Sequence, residues 1–213
     1  MRTVIYEAAN APVEPTTLDK ILAAATIEFA EHGTEGTTYR RVGETAGVST
    51  GLVQHYFKTK KDLLEATNQH VLKQIAAIVE VPDVHDLEIL TAAGNKLVNI
   101  FVEQPHLIAF ITRSIIEGGE AGSVMFRWFY ELSNAQGDWF EERGMLPEGT
   151  DRVWAALHPV ILRVGAFILA DHINELLPAP FKSPEQILRW EASVSSLIRH
   201  GQLNDPTNGP APQ

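Results

Sequence analysis

The apolar residues of this chain repeat with the spacing of an α-helix from residue 16 onward. Ile21, Leu22, Ala25 and Phe29 fall on one face of such a helix. The pattern recurs between Gly and Pro residues, and no run alternates as a β-strand would. The predicted helices cover residues 18–31, 39–46, 50–57, 60–80, 84–103, 105–117, 120–143, 151–176 and 184–200. We therefore expect an all-α fold with about nine helices.

Residues that typically cap helices mark several of the predicted starts. The pairs with capping-box spacing are Thr16 with Asp19, Thr59 with Asp62, and Ser183 with Gln186. Thr37 or Thr38 is expected to cap the second helix and Ser49 the third. The sequence His32-Gly33 is expected to end the first helix.

Two short predicted helices joined by the turn Ala46-Gly47-Val48 have the arrangement of a helix-turn-helix motif. Gly47 permits the left-handed backbone that often ends a helix. The residues expected to pack against the first helix are Val42, Ala46, Val48, Val53 and Phe57. Gly51 and His55 then point outward, which leaves an outer face that is small, polar and uncharged.

The charge distribution singles out the same segment. The 213 residues carry a net charge of −10, which argues against nonspecific binding of nucleic acid by the whole chain. Residues 37–61 are the exception, with two Arg and three Lys against a single Glu. An uncharged helix face bordered by cations suits a DNA major groove, where amides and hydroxyls read bases and lysines hold phosphates. A solvated charge cluster on a helical hairpin without a ligand would give the same pattern.

The run "TTYRRVGETAGVSTGLVQHYFKTKKDLLEA" resembles the DNA-binding domain of TetR-family transcriptional regulators. The similarity covers about residues 16–66, and "HYFKTKKDLL" is particularly similar to the betaine-regulator-like members. The resemblance implies a three-helix N-terminal domain, with the recognition helix at about residues 50–57, and a C-terminal helical domain for ligand binding and dimerisation. The implied divisions are a flexible arm at 1–15, the DNA-binding domain at 16–66, the ligand-binding and dimerisation domain at 67–203, and a disordered tail at 204–213.

The same resemblance implies which side chains meet double-stranded DNA. The chemistry of the side chains suits Gln54 to a base edge and Leu52 to a thymine methyl group. The resemblance implies that Arg40 reaches a base or a phosphate. The residues expected to hold the DNA backbone are Thr38, Thr50, His55, Tyr56 and Lys60. Many family members have Tyr where this chain has Gln54, so phosphate anchoring by that Tyr does not carry over, and Tyr56 is expected to take part of it.

Aromatic residues and arginines of the C-terminal region are candidates for an effector pocket. Residues 120–143 are apolar on nearly all sides, which is typical of a buried core helix and also of one that lines a cavity. An Arg within an apolar run must be exposed, paired, or facing a ligand anion. The candidate pocket residues are Phe110, Arg113, Trp128, Phe129, Arg163 and Phe167.

The last two predicted helices are amphipathic, with apolar residues three and four positions apart. In the resembled family such helices form a four-helix interface between two copies of the chain. The residues expected at the interface of a homodimer are Val164, Ile168, Ile187, Trp190, Val194 and Ile198.

Other functions find little support in the sequence. There is no Cys, no His/Asp/Glu set at metal-ligand spacing, no phosphate-binding Gly-rich loop and no nucleophile motif, so we expect neither a metal, a cofactor nor an enzyme. No apolar run reaches the ~18 residues of a membrane helix, and the N-terminus lacks a signal pattern, which predicts a soluble protein of the cytoplasm. An all-α protein that binds a partner or catalyses a reaction without contacting DNA is the alternative.

The sequence therefore predicts a ligand-responsive DNA-binding regulator. Its expected partners are a palindromic operator, a small-molecule effector and a second copy of itself. Repression released by the effector is the expected mode of action, and activation stays open. The identity of the effector and the sequence of the operator do not follow from the residues.

Overall fold

The computed structural model describes residues 14–79, 100 and 102–204. Nine complete helices lie within these ranges, and the described residues contain no strand. The helices are α1 (Thr17–Gly36), α2 (Tyr39–Ala46), α3 (Thr50–Tyr56), α4 (Lys60–Val79), α5 (Pro105–Glu117), α6 (Gly119–Glu142), α7 (Arg152–Ile168), α8 (Ala170–Asn174) and α9 (Pro184–Gln202). The all-α prediction is confirmed. No helix in these ranges is long and apolar enough to cross a bilayer.

Most predicted helix bounds agree with the structure to within two residues. The largest difference is the predicted helix at 151–176, which is divided into α7 and α8 at Leu169. Neither Gly nor Pro occurs at that point, so the sequence contains no local signal that predicts the break. The predicted helix at 84–103 lies almost wholly outside the described residues, as do nearly all of the predicted arm and tail.

Capping explains several of the observed starts. Thr16 and Asp19 form the predicted box, with the Thr16 amide donating to the Asp19 carboxylate at 2.9 Å. Thr59 and Asp62 bond in the same reciprocal way. The predicted box at Ser183 does not form: the Ser183 hydroxyl makes no cap hydrogen bond and is buried without a partner among the described residues, and Gln186 is buried as well.

A break in the backbone of α1 at Gly33 shapes the end of that helix. Gly33 has φ 68° and ψ −178°, a conformation open essentially only to glycine. Hydrogen bonding resumes to Gly36, so the predicted stop at His32-Gly33 is an interruption inside the helix and not its end. The break places the last turn of α1 beside α5.

One apolar core joins the first four helices to α5 and α6. Phe29 of α1 and Phe110 of α5 are both buried, with ring centroids 6.2 Å apart. Val42 and Val53 of the helix-turn-helix belong to the same cluster, as does Met125 of α6. A second cluster, built around Phe167, Phe181 and Ile187, joins α7 to α9.

Candidate nucleic-acid interface and ligand cavity

The turn between α2 and α3 is held by backbone hydrogen bonds of the Schellman type. Gly47 adopts the left-handed conformation (φ 69°, ψ 30°), as its place after α2 requires. Its amide donates to the carbonyl of Glu44, and the amide of Val48 donates to that of Gly43 at 2.9 Å. Ser49 then caps α3, its hydroxyl accepting from the amide of Leu52 at 3.2 Å. These bonds fix the direction in which α3 leaves the turn.

Packing of one side of α3 decides which residues face outward. Val53 is completely buried in the cluster that also contains residues of α1 and α2, and Phe57, which follows α3, is buried in the same cluster. Gly51, Gln54 and His55 are exposed on the other side. The predicted outer face therefore exists as a surface of small and polar side chains.

The other residues predicted to meet DNA surround this face in differing states. Thr50 and Leu52 are half-buried, whereas Tyr56 is exposed and packs edge-to-face on His55. Thr38 caps α2, its hydroxyl oxygen accepting from an amide, so its hydrogen remains able to donate elsewhere. Arg40 is exposed and lies 3.8 Å from Glu44, a loose surface pair of small energetic weight.

Lys60 is directed at the end of α1 and not at the open surface. Its ammonium donates to the carbonyl oxygens of Thr34 and Glu35 at 3.0 and 3.1 Å. A cation at the C-terminal end of a helix is stabilising because the last carbonyls are unpaired and carry partial negative charge. The geometry thus gives Lys60 a structural partner that the sequence did not reveal, whereas Lys58 beside it is exposed.

A cavity of about 440 Å³ lies between α5, α7, α8 and the loop before α9. Two of the predicted pocket residues, Arg113 and Phe167, line it. The remaining lining residues are Pro105, Ile108, Ala109, Thr112, Ile116, Glu117, Asp171 and Lys182. A second hollow of about 590 Å³ between α5, α6 and α7 includes Phe126, Arg127 and Tyr130.

The other four predicted pocket residues do not line either hollow. Phe110 is 1% exposed in the apolar core, and Trp128 and Phe129 pack against that core. Arg163 bonds to the buried carboxylate of Glu191 at 2.7 and 3.2 Å. An apolar side chain can pack in the core of its own chain, and an arginine can pair with an acid of its own chain. The periodicity of the sequence does not distinguish these outcomes from contact with a ligand.

Arg113 and Glu117 reach from the cavity wall to the broken end of α1. Arg113 donates from Nε to the Ala30 carbonyl at 3.0 Å and from Nη2 to the Glu31 carbonyl at 3.4 Å. Glu117 Oε2 accepts from the amide and the hydroxyl of Thr34, at 3.1 and 2.8 Å. We call these five residues the α1–α5 clamp.

The clamp keeps Glu117 ionised. Partial burial raises the pKa of its carboxyl group, but the hydrogen bonds from Thr34 and the nearby Arg113 outweigh burial and hold the pKa below its ordinary value. The sequence spacing of Arg113 and Glu117 permits an i, i+4 pair. Their contact with α1 joins residues about 80 positions apart in the chain, for which the sequence contains no local signal.

The residues predicted at a dimer interface divide into two groups. Ile187, Val194 and Ile198 are buried within the chain itself, and Trp190 packs edge-to-face on Phe181. Val164 is half-buried, and Ile168 is exposed. The apolar residues left exposed on α7 and α9 are Val153, Trp154, Ile161, Leu162, Ile168, Leu188 and Leu197. A partner surface on these two helices must therefore use their outer faces.

Comparison with known proteins identifies a family model that matches the N-terminal part of the chain. Residues 21–67 match the family model described as bacterial regulatory proteins, tetR family. Two relatives, each named HTH-type transcriptional regulator BetI, are similar over 58 residues: that of Paraburkholderia phymatum is 40% identical and that of Burkholderia thailandensis 43%. The match spans 27% of this chain and only 30% of either relative. The resemblance to TetR-family regulators is confirmed by these matches.

Solved structures extend the similarity of fold to most of the chain. SmeT, the repressor of the Stenotrophomonas maltophilia multidrug efflux pump SmeDEF, has a TM-score of 0.69 at 20% identity, over 93% of this chain and 96% of its own. FadR of Bacillus subtilis, solved in complex with stearoyl-CoA, has a TM-score of 0.71 at 16% identity, over 85% of this chain and 97% of its own. At this identity the likeness establishes a shared fold.

Proposed function

We propose that this chain, whose residues 21–67 match the tetR-family DNA-binding domain, is a transcriptional regulator that acts as a homodimer on a palindromic operator. Its mode of action in the proposal is repression that a small-molecule effector releases. The observation that carries the proposal is the exposed, uncharged face of α3 on a helix-turn-helix whose turn is fixed by backbone bonds. Because its target is chromosomal DNA, the proposal puts the protein in the cytoplasm.

The surface of α3 has the chemistry needed to read base edges. The Gln54 amide can donate to and accept from an adenine, and the half-buried Leu52 can meet a thymine methyl group. The exposed Arg40, Lys58 and Tyr56 border this face and would contact phosphates, which position the helix without reading sequence. A cation on the reading face would attract all DNA alike and weaken discrimination.

The similar proteins support regulation as the function class over catalysis. The relatives are named as transcriptional regulators, SmeT is described as a repressor, and FadR was solved with a bound acyl-CoA. Two hollows in the C-terminal part of this chain have volumes within the ~300–1,000 Å³ typical of small-molecule sites. We infer that effector binding here shifts the population towards a state that fits the operator less well.

Replacing Gln54 by Ala is expected to weaken binding to the specific operator by about 1–3 kcal/mol and to affect random DNA much less, because the amide reads a base. The operator can be selected from a random-sequence library by the protein itself. Fluorescence anisotropy with both DNAs gives the two affinities. Gln136→Ala, in α6, is the control and should change neither. Equal losses on operator and random DNA would show that bases are read elsewhere.

The contacts of Lys60 lead to a second prediction, in which Lys60 and Lys58 have different roles. Lys58→Met should reduce the slope of log affinity against log salt by about one per half-site, because an exposed lysine on a phosphate releases a counterion. Lys60→Met should leave that slope nearly unchanged and lower the free energy of unfolding, because its ammonium caps α1. Salt titrations and urea denaturation of both variants measure the two effects. If the slope fell equally in both variants, Lys60 would also contact a phosphate, and this prediction would be wrong.

A further inference from the structure

The α1–α5 clamp is a direct link between the cavity wall and the helix on which the helix-turn-helix packs. Arg113 holds the carbonyls of Ala30 and Glu31, and Glu117 holds Thr34, on either side of the break at Gly33. Because α1 shares its core with Val42 of α2 and Val53 of α3, packed side chains connect α1 to α3.

The same Arg113 and Glu117 form part of the wall of the 440 Å³ cavity. The rest of the wall is mainly apolar, with Ile108, Ile116 and Phe167 prominent, and it also contains a second cation, Lys182, and a second acid, Asp171. A ligand with a short apolar body would therefore bury that body against α5 and α7 and bring its polar end near Arg113.

The hydrogen bonds of the clamp favour a negatively charged polar end. Both oxygens of Glu117 are already engaged, Oε2 by Thr34 and Oε1 by Arg113. Arg113, in contrast, uses Nε and Nη2 on neutral backbone carbonyls and lies 3.4 Å from Glu117, so none of the carboxylates among the described residues binds it in bidentate geometry. A ligand carboxylate would offer Arg113 two charge-assisted bonds in place of two to neutral oxygens.

We propose that this cavity binds an amphipathic monocarboxylate and that the carboxylate draws Arg113 away from the carbonyls of Ala30 and Glu31, which opens the α1–α5 clamp. The proposal thus specifies the chemical class of the effector and the step by which effector binding changes the affinity for DNA. The coupling part rests on the proposed function, whereas binding of the carboxylate does not. Arg163, held by the buried Glu191, takes no part in it.

Octanoate and octan-1-ol are the probes, because they share an alkyl chain and differ in the carboxylate. Titration calorimetry on the full-length protein should show octanoate binding at least tenfold more tightly than octan-1-ol, as a charge-assisted pair requires. Arg113→Met should abolish this preference, and Arg143→Met, which removes an exposed arginine that lines neither hollow, should retain it. Failure of octanoate to bind, or its undiminished preference in Arg113→Met, would overturn the proposal.

A second variant covers the case in which Arg113→Met does not fold. Ala109→Phe keeps Arg113 and fills part of the cavity that Ala109 lines, so octanoate binding should fall at least tenfold. Unchanged affinity in Ala109→Phe would place the octanoate elsewhere and contradict the inference.

Operator binding separates failure of the clamp from failure of the proposed function. Saturating octanoate should weaken operator binding by the wild type and by Arg143→Met, but not by Arg113→Met. If octanoate binds through Arg113 and the operator affinity does not change, the clamp is not the coupling step, although the protein remains a DNA-binding regulator. If the wild type selects no DNA at all, the proposed function fails, and calorimetry alone still decides whether the cavity is a carboxylate site.

Discussion

Ile161→Glu is expected to convert a dimeric protein into a monomer and to weaken operator binding by about 10²–10⁴-fold, because the two half-sites would no longer be bound by one linked pair. Ile161 lies in the middle of an exposed stripe on α7, seven residues after Trp154 and seven before Ile168. Apolar residues repeated at this interval on an outer face are typical of helices that pack against a two-fold partner. Sedimentation equilibrium and operator anisotropy measure the two losses.

The control for this substitution is Leu176→Glu. Leu176 is 86% exposed in the turn after α8, away from the stripe, whereas Ile161 is 47% exposed. A glutamate at either position should leave the helical content of the chain unchanged, and only Ile161→Glu should change its mass in solution. A wild-type protein that sediments as a monomer at micromolar concentration, or an Ile161→Glu variant that stays dimeric, would rule out this interface.

The position of the proposed dimer surface shows where sequence patterns stop being informative. The spacing of Ile187, Val194 and Ile198 identifies the buried face of α9 correctly, but a buried face can lie in the chain's own core or against a second copy. In this structure it lies in the core. Val194→Arg would therefore damage the fold before it could report on assembly, and the outer face, with fewer apolar residues, is the one left for a partner.

The helix-turn-helix could be predicted closely because its determinants are local. Thr38, Ser49 and Gly47 act within four residues of the bonds they make, so the sequence contains both the cause and the place of each helix end. The turn and the buried Val53 together decide which side of α3 is exposed. For these reasons the orientation of the outer face of α3 could be predicted from the sequence.

The cavity could not be predicted in the same way because its determinants are distant. From the sequence, Arg113 and Arg163 were equivalent candidates for the pocket, because both lie within apolar runs. The structure separates them, since Arg163 meets a buried carboxylate on α9 and Arg113 meets backbone carbonyls of α1. The partner of each arginine lies on a different helix, and the two helices come together only in the folded chain. The cavity beside Arg113 depends on the same tertiary packing.

The proposed division at residue 66 between a DNA-binding domain and a ligand-binding domain leads to the last prediction. Replacing Phe110 by Ala should lower the free energy of unfolding by about 3–5 kcal/mol, because the ring is fully buried and leaves a cavity. Its contact with Phe29 lies in the core that joins α1–α4 to α5 and α6, so both regions should lose stability together. Urea denaturation followed by hydrogen exchange at α1 and by tryptophan fluorescence measures the two regions separately, since all four Trp lie at or beyond residue 128.

Phe140→Ala is the matched control, because it removes a ring that is also buried, from a small cluster of Trp139, Met145, Leu146 and Leu203 at the far end of α6. That cluster contains no residue of the first four helices, so Phe140→Ala should permit local opening near α6 while α1 keeps the slow exchange of the wild type. Phe110→Ala should instead accelerate exchange in α1 and α5 by the same factor. If α1 exchanges as slowly in Phe110→Ala as in the wild type, then residues 16–66 fold independently of α5, and the α1–α5 contact is an interface between two domains and not a shared core.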